Sequence, residues 1–96
     1  MIFVKVHKGA SEVVAICDKE LIGKVFSDGK YELKIGEFFY KGKEVREDEV
    51  KGIMINAPNL NIVGERSVNI AIKLGVIDEK NVLNIGGVKH AQSITC

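Results

Sequence analysis

The chain has 96 residues, of which 46% are apolar and 28% are charged. A chain of this length buries roughly 60–65% of its unfolded surface, which is enough for one modest core, and the composition is typical of folded domains rather than disordered segments. Fourteen basic and thirteen acidic residues leave a net charge of +1. This balance excludes non-specific nucleic-acid binding through an overall basic surface. The same balance is compatible with a local basic patch. We predict one domain over residues 1–96.

The sequence favours a cytoplasmic protein without membrane contact. No apolar run approaches the roughly 18 residues of a membrane span, and residues 1–6 resemble a strand rather than a signal peptide. Cys17 ends an apolar run and is expected to be a buried thiol, whereas Cys96 is expected to be exposed. Neither these cysteines nor the two histidines, His7 and His90, have the spacing of metal ligands or of a redox motif. We therefore predict no metal site, no cofactor and no disulfide.

The N-terminal quarter predicts a β-hairpin followed by a short helix. Residues 2–7 alternate between apolar and polar side chains, and residues 12–17 form a second, β-branched run after a short turn. Asp18 is a suitable N-cap for a helix in which Leu21, Ile22 and Val25 share one face. Gly23 lies inside this pattern, so the helix should be short.

The middle of the chain predicts one half-exposed strand, a turn and a helix. Residues 31–35 alternate in polarity, and Lys41-Gly42 indicates a tight turn, after which residues 43–45 return as a short arm. Acidic residues 47–49 suit the N-terminus of a helix that ends before Pro58.

The C-terminal third predicts a βαβ unit. Residues 60–63 form an apolar strand, residues 65–74 a helix with a polar stripe at Asn69 and Lys73, and residues 82–85 a second strand. A last short strand is expected after Gln92. The predicted fold class is a single α+β domain with a mixed sheet, an N-terminal β-hairpin, three helices and a C-terminal βαβ unit.

Four segments together resemble an archaeal domain-of-unknown-function family of small proteins. These segments are residues 1–7, 37–40, 61–67 and 86–92. The resemblance covers the whole chain and implies an association with the archaeal translation apparatus, without an established activity. One position departs from the family pattern, because Lys89 stands where proline often precedes the His-Ala-Gln step. Proline would fix φ and remove an amide donor, so lysine leaves this segment freer and adds a charge.

Residues 64–67 are the first candidate site. A strand that turns through Gly64 into a helix presents free backbone N–H groups, which favour an anion, and Arg66 could add a bidentate contact. Glu65 opposes this interpretation, because its carboxylate lies in the same first turn. The alternative is a helix that begins after glycine, with a capping acid and a surface arginine.

Residues 86–92 are the second candidate site. Gly86 and Gly87 permit a sharp turn, after which Lys89, His90 and Gln92 follow within a few residues. Histidine can exchange a proton near neutral pH or stack on a base, and glutamine pairs a donor with an acceptor. The alternative is a structural turn in which His90 is hydrogen-bonded to neighbouring backbone.

Two other polar or aromatic groups favour structural roles. Asn56, Asn59 and Asn61 flank Pro58, where asparagine commonly satisfies turn backbone. The aromatic run at residues 38–40 could form a stacking platform beside Lys41 and Lys43, although a core with one exposed ring is the simpler interpretation.

Two functional hypotheses follow. The first is a binding module in archaeal translation, whose residues Gly64, Glu65, Arg66, Lys89, His90 and Gln92 contact RNA or a translation-associated protein. The second is a small enzyme that acts on a phosphorylated or carboxylated metabolite, with Glu65 and His90 as an acid/base pair. They differ in shape, since an enzyme needs a concave pocket that joins Glu65 and His90.

Self-association is a further expectation. The helix at residues 65–74 is apolar around most of its circumference, and the aromatic run at residues 38–40 must expose at least one ring if it is extended. A symmetric homodimer would cover both surfaces. The alternative is that the sheet and the other helices enclose the helix within one chain.

Overall fold

A six-stranded mixed sheet organises the chain in the computed structural model, which describes residues 1–94. In spatial order its strands are β5 (Lys43–Val45), β1 (Ile2–His7), β2 (Val13–Asp18), β6 (Asn59–Val63), β8 (Val88–Ile94) and β7 (Leu83–Ile85). A separate hairpin consists of β3 (Val25–Ser27) and β4 (Glu32–Lys34). Among the described strands, β2 and β6 are the one parallel pair. The predicted α+β class, the mixed sheet and the N-terminal hairpin are thus confirmed.

Three helices connect these strands. Their number agrees with the prediction, but one of them lies at a different position in the chain. They are α1 (Glu37–Tyr40), α2 (Glu47–Asn56) and α3 (Glu65–Lys73). The helix predicted after Asp18 is only a single 3₁₀ turn, Lys19–Leu21, because Gly23 adopts a φ of +84° and the chain then extends into β3. Conversely, the aromatic run that could have been extended forms the one-turn helix α1.

Each face of the sheet carries its own apolar cluster. On the helix face, strand residues pack against α2 and α3; the largest fully buried side chains there are those of Ile2, Ile16, Met54, Ile62, Val45, Val50 and Val68. On the hairpin face, strand residues pack against β3, β4 and α1; the buried set there is Ala15, Cys17, Leu33, Ile35, Tyr40, Val63, Ile85 and Val88. The hairpin and α1 cover only part of their face, since Leu83 and Ile94 are 51% and 73% exposed there.

The C-terminal segment forms a β-hairpin where the sequence predicted a loop before a last strand. The two-residue turn Gly86-Gly87 has φ values of +59° and +90°, which is the signature of a type I′ hairpin. The chain therefore returns at once as β8, and Lys89, His90 and Gln92 lie on this strand rather than in a loop before a last strand. β8 also lies between β6 and β7, so the two strands joined by α3 run parallel but are not hydrogen-bonded neighbours. The predicted βαβ unit is thus split by the final strand. Thr95 and Cys96, including the expected exposure of Cys96, lie outside the described residues.

Candidate functional site

The backbone N–H groups at the N-terminus of α3 are bound by a carboxylate of the same chain. The parallel register pairs Cys17 with Val63, so the next residues, Asp18 and Gly64, meet at the carboxyl ends of β2 and β6. Asp18 is 3% exposed, and its carboxylate accepts hydrogen bonds from the backbone N–H of Arg66 at 3.0 Å and of Ser67 at 2.9 Å. The hydroxyl of Ser67, a fully buried residue, donates to the same carboxylate at 2.6 Å. Two of the N–H groups that an external anion would need are therefore already satisfied.

Charged residues of the two candidate motifs form ion pairs on the helix face. Arg66 contacts Glu20 at 3.1 Å. Lys89 reaches from β8 to Glu65 at 3.6 Å and donates to the side-chain Oδ1 of Asn69 at 3.2 Å. Gly64, Glu65, Arg66 and Lys89 thus belong to one region, since the amide of Gly64 also donates to the carbonyl of Lys89 at 2.9 Å.

His90 and Gln92 lie on the opposite face. Successive side chains of a strand alternate, and Ala91 packs in the helix-face cluster while Val88 packs in the hairpin-face cluster. His90 and Gln92, in phase with Val88, therefore belong to the hairpin face. The structure does not bring Glu65 and His90 together, because the sheet lies between their side chains.

The ring of His90 is held by backbone, as the structural alternative predicted, and it also lines a cavity. Nδ1 lies 3.0 Å from the carbonyl oxygen of Ile62. A carbonyl only accepts, so Nδ1 is the donor in this hydrogen bond. The cavity has a volume of about 220 Å³ and is also lined by Asn81, Leu83 and Gln92.

A second cavity also has Gln92 in its lining. It measures about 310 Å³, and its lining includes Phe39, Asn59, Asn61, Gln92 and Ile94. Because Gln92 lines both cavities, they lie next to each other on the uncovered part of the hairpin face. We call this surface, lined by Phe39, Asn61, Leu83, His90 and Gln92, the amide trough.

Asn61 and Gln92 lie side by side in the amide trough. They are directly paired across β6 and β8. The Tyr40 hydroxyl donates to Asn61 Oδ1 at 2.6 Å, which leaves the Nδ2 donor of Asn61 for other contacts. Burial raises the pKa of Tyr40 to about 12, so this phenol stays protonated and remains a donor at neutral pH.

An aromatic and basic cluster lies at one end of the amide trough. His7 stacks on Phe39 with ring centroids 4.5 Å apart, and its Nε2 lies 2.8 Å from the Phe39 carbonyl oxygen. Phe38 is 81% exposed, and the ammonium of Lys5 lies 4.5 Å from its ring centroid. The expected arrangement of a core with one exposed ring holds here, since Tyr40 is buried and Phe39 is half-buried.

Sequence reasoning missed part of this surface. Asn56 and Asn59 do satisfy backbone, through the carbonyls of Gly52 and Glu12. Asn61 differs because it lies at the centre of β6, in phase with the open face. The available signal was its place inside an apolar strand run, where a turn role is not expected.

Cys17 is a buried thiol, as predicted. Burial, with help from the neighbouring carboxylates of Asp18 and Glu20, raises its pKa to about 12. The thiol is therefore uncharged and unreactive at neutral pH.

Two wider properties concern the helices and the metal-ligating side chains of residues 1–94. None of the described helices has the length and apolar character required to cross a bilayer. Within the same residues, no three His, Cys, Asp or Glu side chains are grouped so that they could hold a metal ion.

Comparisons with known proteins show the family of this chain. A comparison with curated proteins gives no match. An uncharacterized conserved protein from Methanopyrus kandleri has a similar crystal structure, with a TM-score of 0.77 and 26% sequence identity over 95% of this chain and 88% of that chain. The family model described as "Protein of unknown function (DUF424)" matches residues 7–96. The resemblance found from the sequence motifs is thereby confirmed, and the chain belongs to the DUF424 family.

Proposed function

We propose that this protein is a binding module for single-stranded RNA that uses the amide trough and the adjoining aromatic cluster. The observation that supports this proposal most directly is the arrangement of this surface. Phe38, His7 and Phe39 lead into a trough whose central residues are the paired amides Asn61 and Gln92, and His90 lies at its far end.

The chemistry of this surface suits unpaired bases. Single-stranded RNA is bound by stacking bases on exposed aromatic rings and by hydrogen bonds to their edges. Phe38 offers an exposed ring, while Asn61 and Gln92 offer amide donors and acceptors in the adjoining trough. From β1 to β7 the sheet spans four strand spacings, or roughly 19 Å, which is wide enough for a short extended strand.

A role in archaeal translation and a cytoplasmic location belong to the same proposal. The translation role is what the family resemblance implies, and a cytoplasmic location is consistent with it; neither rests on a contact within the chain. RNA crosslinked to the protein in native lysate and then sequenced should consist mainly of ribosomal or transfer RNA. Recovery of neither would leave the translation role without support.

The rival proposal of a small enzyme has less support. It needs Glu65 and His90 in one pocket, and their side chains lie on opposite faces of the sheet. The homodimer also stays a prediction. One of its premises is weaker, because Val68 and Ala71 of α3 are fully buried within one chain. Sedimentation equilibrium at micromolar concentration tests it: a species of 10.5 kDa would exclude the dimer.

The RNA proposal is tested by fluorescence anisotropy with labelled RNA of about ten nucleotides, within the usual range of site sizes for small single-strand binders. We expect binding to the single strand and much weaker binding to a duplex of the same sequence. Phe38→Ala and Gln92→Ala should each weaken binding, the former by at least about fivefold through lost stacking.

Ile55→Ala is the matched control. Ile55 is 60% exposed on α2, so it is an exposed apolar residue on the other side of the sheet. Affinity for RNA should not change in this variant. An absence of single-strand binding by the unmodified protein, or equal losses in Phe38→Ala and Ile55→Ala, would refute the proposal.

A further inference from the structure

We propose a second, separate site: the groove between α2 and α3 binds a small organic phosphomonoester with an apolar body. This inference does not depend on the proposed RNA binding, because the groove lies on the helix face of the sheet. It has a volume of about 400 Å³, which falls within the range of small-molecule sites.

The groove combines an apolar floor with a cationic rim. Ile70 and Leu74 of α3, both half-buried, provide its apolar surface. Lys51 of α2 and both Arg66 and Lys73 of α3 provide the cations. Residues 66, 70 and 73 share one side of α3 because they are spaced by three or four positions. An apolar floor below several cations suits a ligand with an apolar body and an anionic group.

The charge of the lining favours a dianion. Three cations and one acid, Glu47, leave a net charge of +2 on the charged side chains that line the groove. A phosphomonoester carries about −1.5 to −2 at neutral pH, whereas a carboxylate carries a single charge. Arg66 adds the planar, two-pronged donor geometry that suits phosphate oxygens.

The three cations differ in the ion pairs that they already make with carboxylates of the chain. Within residues 1–94, Lys73 makes no ion pair, and Lys51 has only a 3.9 Å contact with the fully exposed Asp48. Arg66 contacts Glu20 at 3.1 Å, and both side chains are about half exposed. Exposed pairs of this kind contribute little free energy, so a dianion can compete for Arg66. Glu20 therefore acts as a competing internal anion at this site.

Asn69 contributes an oriented donor to the same groove. Its Oδ1 accepts a hydrogen bond from Lys89 at 3.2 Å, so its Nδ2 remains available to donate. Lys89 is in turn positioned beside Glu65 at 3.6 Å. Lys89 is thus a positioning residue for Asn69, while Asn69 and Arg66 are the groups that would contact the ligand.

The test is a titration of the ¹⁵N-labelled full chain with phenyl phosphate, followed by NMR. Inorganic phosphate and phenol serve as the two halves of the probe. We expect saturable shifts of the backbone amides of residues 66–74 with phenyl phosphate, and at least about tenfold weaker effects from either half. The amides of His90 and Gln92, on the other face, should not shift.

Two groups of variants sharpen this test. Lys73→Gln should weaken phenyl phosphate binding by about tenfold, the loss expected for one charged hydrogen bond. Lys34→Gln, which removes a similarly exposed lysine on the β3–β4 hairpin, should leave binding unchanged. Glu20→Gln and Glu47→Gln should tighten binding by about two- to fivefold, because each removes a competing negative charge.

Three results of the titration with phenyl phosphate would overturn the proposal. They are an absence of saturable shifts in the unmodified protein, equal effects of Lys73→Gln and Lys34→Gln, or no tightening in either glutamate variant. A single-stranded oligonucleotide that displaces phenyl phosphate would also overturn it, since the groove would then be part of an RNA surface. Failure of RNA binding at the amide trough would leave this proposal intact.

Discussion

The carboxyl group of Asp18 packs directly against the Cα of Gly64, and a Cβ atom at position 64 would overlap it. The contact arises because β2 and β6 are parallel and in register, which brings the residues after Cys17 and Val63 side by side. Asp18 can then accept three hydrogen bonds from the first turn of α3. One carboxylate thus joins the N-terminal hairpin to the C-terminal third of the chain.

Removal of the Asp18 carboxylate should destabilise the protein strongly. Asp18→Ala leaves the buried Ser67 hydroxyl and two N–H groups without their acceptor, and we expect a loss of about 2–4 kcal/mol in the free energy of unfolding. Asp18→Asn retains an acceptor without the charge and should lose about half as much. Urea denaturation measures both. Glu20→Ala, two residues away but exposed, is the control and should change stability by less than about 1 kcal/mol. Equal stability of Asp18→Ala and Glu20→Ala would contradict the assignment.

Substitution of Gly64 should be worse than substitution of Gly75, which also has a positive φ but lies in open space. Gly64 has a φ of +110° and contacts Asp18, whereas Gly75 has a φ of +77° with no atom within 4 Å of an added Cβ. Gly75→Ala should cost about 1–2 kcal/mol from the left-handed backbone alone. Gly64→Ala should cost more than about 3 kcal/mol, because overlap adds to strain.

The combined variant Gly64→Ala/Asp18→Ala separates the two contributions. The second substitution removes the overlapped carboxyl group, so the double variant should lose less stability than the sum of the single variants. Simple additivity in urea denaturation would show that the overlap has no energetic effect.

Local sequence patterns predicted most of the elements but not the contact between Asp18 and α3. Asp18 has the character of an N-cap, and its neighbours have helical spacing, so the pattern favoured a helix that begins there. The donors it binds lie 48 and 49 residues away and become neighbours only through the parallel register of β2 and β6. Nothing in a window around Asp18 contains this information.

The second candidate motif is divided between the two faces of the sheet for a similar reason. Lys89, His90 and Gln92 are close in sequence and were expected to act together from a loop. Once they lie on β8, alternation places Lys89 toward the helix face and the other two toward the hairpin face. The strand was concealed because only Val88 and Ala91 of its first four residues are apolar.

Alkaline pH should weaken the fold through Cys17 and Tyr40. Burial raises the pKa of each group to about 12, from ordinary values of 9.0 for the thiol and 10.0 for the phenol. The folded state thus holds both groups protonated while the unfolded chain ionises. The stabilisation from these groups is complete below about pH 9 and is lost as the pH rises towards 12. Urea midpoints measured across this range should fall steadily.

A pair of tyrosine variants identifies the source of this pH dependence. Tyr40→Phe removes one of the two titrating groups and should flatten the decline, even though it loses the hydrogen bond to Asn61 at every pH. Tyr31→Phe is the control, because Tyr31 is 51% exposed and should leave the decline unchanged. An identical pH profile in both variants would exclude a contribution from Tyr40.

The salt dependence of RNA binding should be shallow if the amide trough is the binding surface. Three lysines contact or directly adjoin the residues of the aromatic cluster. Lys5 contacts Phe38, and Lys8 and Lys41 directly follow His7 and Tyr40 in the chain. Each phosphate contact to a single strand contributes about −0.7 to the slope of log affinity against log salt, so three lysines give a slope no steeper than about −2.

Lys5→Gln should reduce the magnitude of this slope by about 0.7. Phe38→Ala should lower affinity at every salt concentration without changing the slope, because stacking releases no counterions. Lys73→Gln, on the helix face, should leave both affinity and slope unchanged. A slope much steeper than −2, reduced by Lys73→Gln, would place the RNA on the helix face instead.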